Sequence, residues 1–247
     1  DLRKLSDLEL VNLQLSESDW HARRARVILQ GRSRYQSISQ EAQARLQAIF
    51  VSKDDVNHRL RAFWTQSIVG VATENTLMAA LEDADEYVRA WAIQFLCEEP
   101  PSPAVVTRLV KITNDPSAVV RLYLAAAMQR IKLSQRWELA AGLLTNQKDE
   151  EDHNIPKMIW FALEPLIAAH PQKAIDLAYE SKIGLISNHI ARRLVDAGSL
   201  DILFDGLKKM GSARRSLLQG TYDGLEGQTN IAVPNNWEAL YASLQND

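Results

Sequence analysis

The residue types best suited to chemistry stand together in Asp149-Glu150-Glu151-Asp152-His153-Asn154, followed by Trp160 and by Glu164-Pro165. Carboxylates beside an imidazole and an amide are the donor types of a divalent-cation site, which would draw on Asp152, His153, Asn154 and Glu164. The run lacks the spacing and the glycine of a calcium loop. A solvated acidic loop capping the next helix is the plainer reading. If that helix opens near Pro156, Trp160 and Glu164 lie four apart on one face. Pro165, inside an apolar segment, predicts a bend or an end to the helix.

The remaining candidates are dispersed. His21, His58, His153, His170 and His189 form neither His-x-x-x-His nor His-Glu-x-x-His, so no zinc-binding helix is written here. His21 and His58 occupy matching places near helix starts and read as turn or capping residues. The single cysteine, Cys97, follows Phe95 and Leu96 and reads as a buried thiol; it excludes an internal disulfide and a haem-attachment motif. Glycine-rich phosphate loops and Gly-x-Ser-x-Gly are absent. The sequence therefore gives no catalytic residue and no cofactor, and points away from an enzyme.

The 247 residues are 46% hydrophobic and 24% charged with a net charge of -3, which excludes a disordered chain and disfavours a nucleic-acid binder. No apolar run reaches the ~18 residues of a membrane span, so no membrane insertion is expected. The charged start Asp1-Leu2-Arg3-Lys4 and the missing initiator Met suggest a piece of a longer protein or a mature product.

These residues must be positioned by a repeat. Asp85-Glu86-Tyr87-Val88-Arg89-Ala90-Trp91-Ala92 recurs as Asp115-Pro116-Ser117-Ala118-Val119-Val120-Arg121-Leu122, 32 residues on from Arg89 to Arg121. A period of this size indicates stacked helical hairpins. Weaker copies align on Arg23, Arg61, Lys157 and His189, giving about six hairpins and a pattern that fades after about residue 200. Each hairpin has a first helix, such as Pro103 to Ile112 with Val105, Leu109 and Ile112 at helical spacing, and a second opened by an acidic turn. Asp19, Asp83, Asp85 and Asp115 suit the positive end of a helix. The arginine after each turn does not, and its recurrence predicts a ladder in which each Arg reaches an Asp of a neighbouring unit. The tryptophans read as filling between hairpins. Arg or Lys at 121, 130, 132, 136, 192, 193, 214 and 215 line a possible anion-binding rim, with structural pairing the simpler role. Gly220 to Gly227 and Ile231 to Pro234 read as loop, and Asn235-Asn236 as the cap of a last short helix.

The Val-Arg helices resemble HEAT repeats. Tyr87 to Ile93, Val120 to Arg130, Asp152 to Trp160 with Glu164-Pro165-Leu166, and Ser181-Lys182-Ile183 with Ile190 to Leu194 resemble the HEAT region of large exported bacterial proteins described as membrane-bound dehydrogenases or haem-binding proteins. Those proteins join a β-propeller, a helical-repeat region and a c-type cytochrome. The resemblance spans roughly residues 5–240. It implies an all-α, α-α superhelix over 1–247, a periplasmic or extracellular setting, and a spacer or docking role between neighbouring domains.

The expected function is a non-catalytic scaffold for protein or interdomain contacts. Its expected interaction surface comprises Asp152, His153, Asn154, Trp160, Glu164, Arg192 and Arg193. The alternatives are a metal- or ligand-binding module built on Asp152 to Glu164 and a nucleic-acid-binding solenoid, the latter disfavoured by charge.

Overall fold

A computed structural model describes residues 1–52, 55–209 and 211–245. Among them the structure is all-helical: α1 (Asp7–Asn12), α2 (Asp19–Ser33), α3 (Gln40–Phe50), α4 (Val56–Ile68), α5 (Glu74–Ala80), α6 (Glu86–Leu96), α7 (Pro103–Lys111), α8 (Ala118–Ala127), α9 (Arg136–Leu144), α10 (Ile155–Ile167), α11 (Pro171–Glu180), α12 (Gly184–Asp196), α13 (Leu200–Leu207), α14 (Arg214–Leu225) and α15 (Trp237–Leu244). The described residues contain no strand and no helix long and apolar enough to cross a membrane. The chain divides into two compact units, Asp1–Leu96 and Cys97–Asp247.

Helix starts are written in short polar side chains. Ser6 and Glu9 form a capping box on α1, while Ser18, Ser39, Thr73, Ser102 and Ser117 accept backbone N–H bonds at the starts of α2, α3, α5, α7 and α8. Serine rather than Asp19 therefore caps α2. Two stops are equally local. Gly70 and Gly198, both at positive φ, close α4 and α12 with the paired bonds of a Schellman turn, Val71 N–H to Gln66 O and Ser199 N–H to Leu194 O.

In the first unit α1 packs on α2 and α3, α2 on α4, α3 on α4, α4 on α6, and α5 on α6. Phe63 of α4 is fully buried, stacks on Phe50 of α3 and meets Phe95 of α6 edge-on. In the second unit two layers alternate: α7, α9, α11, α13 and α15 touch in series, and so do α8, α10, α12 and α14. Apolar residues at helical spacing fill the space between layers, among them Leu109 of α7, Leu139 and Leu143 of α9, Ile159 and Leu163 of α10, and Ile190 and Leu194 of α12. The pairing continues past residue 200, where the sequence pattern fades. Residues 220–225, read as loop, belong to α14. A Cβ on Gly220 would lie 2.1 Å from the Asn188 carbonyl oxygen, so α14 crosses α12 backbone against backbone. The 231–234 segment is non-helical, and Asn236 donates to Asp201 O and Asp205 Oδ1 instead of capping α15.

The arginine ladder exists, with Arg89 and Arg121 in the expected register and Arg59 instead of Arg61 reaching forward from α4. Its arginine is the fourth residue of its helix: Arg59 in α4, Arg89 in α6 and Arg121 in α8. Arg59 pairs with Asp83 ahead of α6, and Arg121 pairs with Asp149 ahead of α10. Arg89 and Arg121 each also donate to the carbonyl six residues back, Asp83 O and Asp115 O. Arg61 reaches backwards to Asp19 and to the carbonyls of Gln14 and Ser16. Asp83, Asp115 and Asp152 share one geometry, each accepting the N–H two residues on, from Asp85, Ser117 and Asn154.

Candidate functional site

Helix α10 begins where Asp152 accepts the N–H groups of Asn154 and Ile155, both at 2.8 Å. Asp152, His153 and Asn154 are exposed, and Asn154 makes no side-chain cap. Asp149, from the same acidic run, is buried under Arg121: Nε lies 2.6 Å from Oδ2 and Nη2 2.5 Å from Oδ1, with 5% and 1% of the two side chains exposed. These hydrogen bonds hold the guanidinium pKa above its ordinary value. Glu150 accepts the Gly184 N–H at the start of α12. Among the described residues no group of three His, Cys, Asp or Glu side chains is placed to hold a metal ion. Glu164 lies on the third turn of α10 and pairs with Arg193 at 2.6 Å, away from the acidic run.

Pro165 does not end α10, which runs on to Ile167. The proline supplies no N–H to the Phe161 carbonyl, and Arg136 of α9 adds a donor to the neighbouring Ala162 carbonyl at 2.8 Å.

The structure brings Trp160, Arg192 and Arg193 together. They share a pocket of about 360 Å³ with His189, Asp196, Asp223 and Gly224. The Trp160 and His189 rings meet edge to face at 5.1 Å and 73°. Asn188 donates through Nδ2 to Asp223 Oδ2 at 3.0 Å, which turns its Oδ1 toward His189 Nδ1 at 3.3 Å. The Nδ1–H tautomer satisfies that contact and leaves Nε2 as an acceptor. Burial, and then the Arg192 charge, lower the His189 pKa. Hydrogen bonds from Asn188 and Gln219 hold the Asp223 carboxyl below its usual range.

A second depression, of about 710 Å³, continues from the first through His189 and Arg192. Leu185 and Asn188 border it from α12, and Arg215, Ser216 and Gln219 from α14. The two form one groove along α12, between Trp160 of α10 and α14. Asn188, Gln219 and Asp223 escaped the sequence reading, which had Arg215 only as one of eight rim residues. The available signal was Gly220 and Gly224 four apart, a spacing that lets one helix lie close on another.

Four of the eight basic residues read as a rim are structural. Arg121 is buried, Arg130 donates to Glu98 O, Arg136 serves three carbonyls, and Arg214 is buried and donates to Ser243. Trp137 is a core residue of α9, whereas Trp20 is 64% exposed on α2 beside Arg23, Arg24 and Val27.

No family model matches the chain, and no similar curated protein or solved structure was found.

Proposed function

We propose that this chain is a non-catalytic helical-repeat scaffold that binds a polypeptide along the outer side of α10, α12 and α14. The observation that carries the reading is the groove itself: two depressions joined at His189 and Arg192, with an aromatic wall at Trp160 and an apolar floor residue, Leu185. Its walls are rigid helices packed through buried Ile159, Ile190 and Leu217, which keeps the cost of ordering the binding surface low. The alternating layers of the second unit support assigning it to a HEAT-like α-α superhelix, an architecture that offers extended binding surfaces. The resemblance of Tyr87 to Ile93 and Val120 to Arg130 to HEAT regions of exported dehydrogenase and cytochrome proteins supports a place between redox domains outside the cytoplasm, with a neighbouring domain or another protein as partner.

Panning a random peptide display library on the full chain tests the reading. The scaffold reading expects enriched peptides that no longer bind a Leu185→Trp variant, which fills the groove while preserving helical circular dichroism. Enrichment of nothing, or of peptides that bind both proteins equally, would overturn it.

A further inference from the structure

We infer that the groove selects an acidic peptide, whose carboxylates are taken by Arg192 and Arg215. The inference rests on the peptide-binding reading above and names its partner chemistry. The charges at the groove divide into those with a partner in the fold and those facing the groove. Asp223 accepts from Asn188 and, at 2.7 Å, from Gln219. Asp196 and Glu164 both pair with Arg193. Glu150 accepts the Gly184 N–H. Every acidic group at the groove is thus engaged, and so is Arg193. Arg192 and Arg215 make no hydrogen bond or ion pair among the described residues, although the Arg192 charge acts on Asp223 and His189, and both border the same depression.

A guanidinium offers a planar fork of donors that fits a carboxylate with two parallel bonds. The second depression carries both forks, one from α12 and one from α14. Leu185 and the Trp160–His189 pair supply apolar surface for a side chain between acidic residues. The Ser216 hydroxyl and the Gln219 amide supply partners for a peptide backbone. Charge complementarity also separates a peptide from a nucleic acid. A peptide brings a carboxylate to each arginine and passes neutral backbone over Glu150 and Asp223. A continuous phosphate chain would meet both carboxylates, on a protein whose net charge is already -3.

Fluorescence anisotropy of the full chain tests this with four labelled probes: an alternating Glu-Leu octapeptide, its Gln-Leu and Lys-Leu counterparts, and a short oligo-dT. The acidic octapeptide should bind best and weaken as salt rises. Arg192→Gln and Arg215→Gln should each weaken it about fivefold, and the pair of substitutions more than tenfold. Because neither arginine makes a hydrogen bond or ion pair in the fold, these variants should stay close to the thermal midpoint of the parent, and Arg192→Lys should recover part of the loss. Equal binding of the Gln-Leu peptide would overturn the acidic specificity and leave the scaffold reading standing. Binding of no peptide would overturn both. Tighter binding of oligo-dT, or unchanged affinity in the double variant, would overturn the assignment of the two arginines.

Discussion

Arg121 and Asp149 form a two-bond fork across successive helical units, with Arg121 on the first turn of α8 and Asp149 in the loop that precedes α10. Arg121 also holds the Asp115 carbonyl of its own turn at 2.6 Å. One guanidinium thus ties together the loops that open two consecutive helices of the same layer. Such a tie fixes the spacing between the starts of α8 and α10.

Replacing Asp149 with Asn keeps the shape and removes the charge, leaving the Arg121 guanidinium buried and unpaired. Breaking a buried pair from one side costs about 3–5 kcal/mol. The Asp149→Asn chain should therefore show a marked drop in denaturation midpoint. Asp152→Asn, at an exposed capping position, should cost less than about 1 kcal/mol. Urea titrations of the two variants in parallel check the ranking.

Gly220 should resist the substitution that normally favours helices. Alanine in a helix interior gains about 1 kcal/mol over glycine. Here its Cβ would lie 2.1 Å from Asn188 O, 2.8 Å from the carbonyl carbon and 2.8 Å from the Asn188 Cα. Those atoms are backbone, so α14 must move off α12, and overpacking of this kind costs about 1–3 kcal/mol. Gly220→Ala should destabilise the chain on balance, while Gly31→Ala, with nothing within 4 Å on helix α2, should stabilise it. Thermal melts of both variants read the two signs.

His189 gives the groove a pH dependence. Burial and Arg192 lower its pKa in the fold from the ordinary 6.5, so the unfolded chain binds a proton more readily. The stability this contributes is complete above the ordinary value and is lost as pH falls through the lowered one. Arg192 and Arg193 on α12, Trp160 on α10 and Asp223 on α14 surround the ring. The denaturation midpoint should therefore drop more steeply on acidification in the parent than in His189→Gln. Paired titrations between pH 7 and pH 4 would show parallel curves if the ring were not held neutral.

Cys97 should behave as a core thiol. It is buried, and burial pushes its pKa up to about 11. A thiol reagent at pH 8 should label it only after addition of denaturant. Rapid labelling of the folded chain would show that the thiol is accessible.

The helices were legible wherever their signals are local. Pro103 at the start of α7 and the apolar spacing of Val105 and Leu109 fix that element without help from the rest of the chain, whereas the serine caps went unread, Ser18 standing where Asp19 was expected. The ladder was legible in kind and misplaced by two residues in α4, because α4 carries Arg59 and Arg61 and only tertiary contact decides which reaches forward. Helix α14 was missed because Gly220 and Gly224 read as helix breakers, while their use is close contact with Asn188 and Val195. Trp160, Glu164, Arg192 and Arg193 do come together, the glutamate through its pair with Arg193, yet Asp152 and its neighbours stand at the far end of α10 as a cap. Which arginine remains unpaired is a property of the assembled helices, and the sequence alone could not separate Arg192 from Arg193.

Hydroxyl-radical footprinting of the full chain with and without saturating Glu-Leu octapeptide tests the central claim directly. The account predicts slower oxidation of Trp160 and Leu185, with exposed Trp20 oxidised at an unchanged rate as the internal reference. Bound peptide that leaves Trp160 and Leu185 oxidised as before would contradict it.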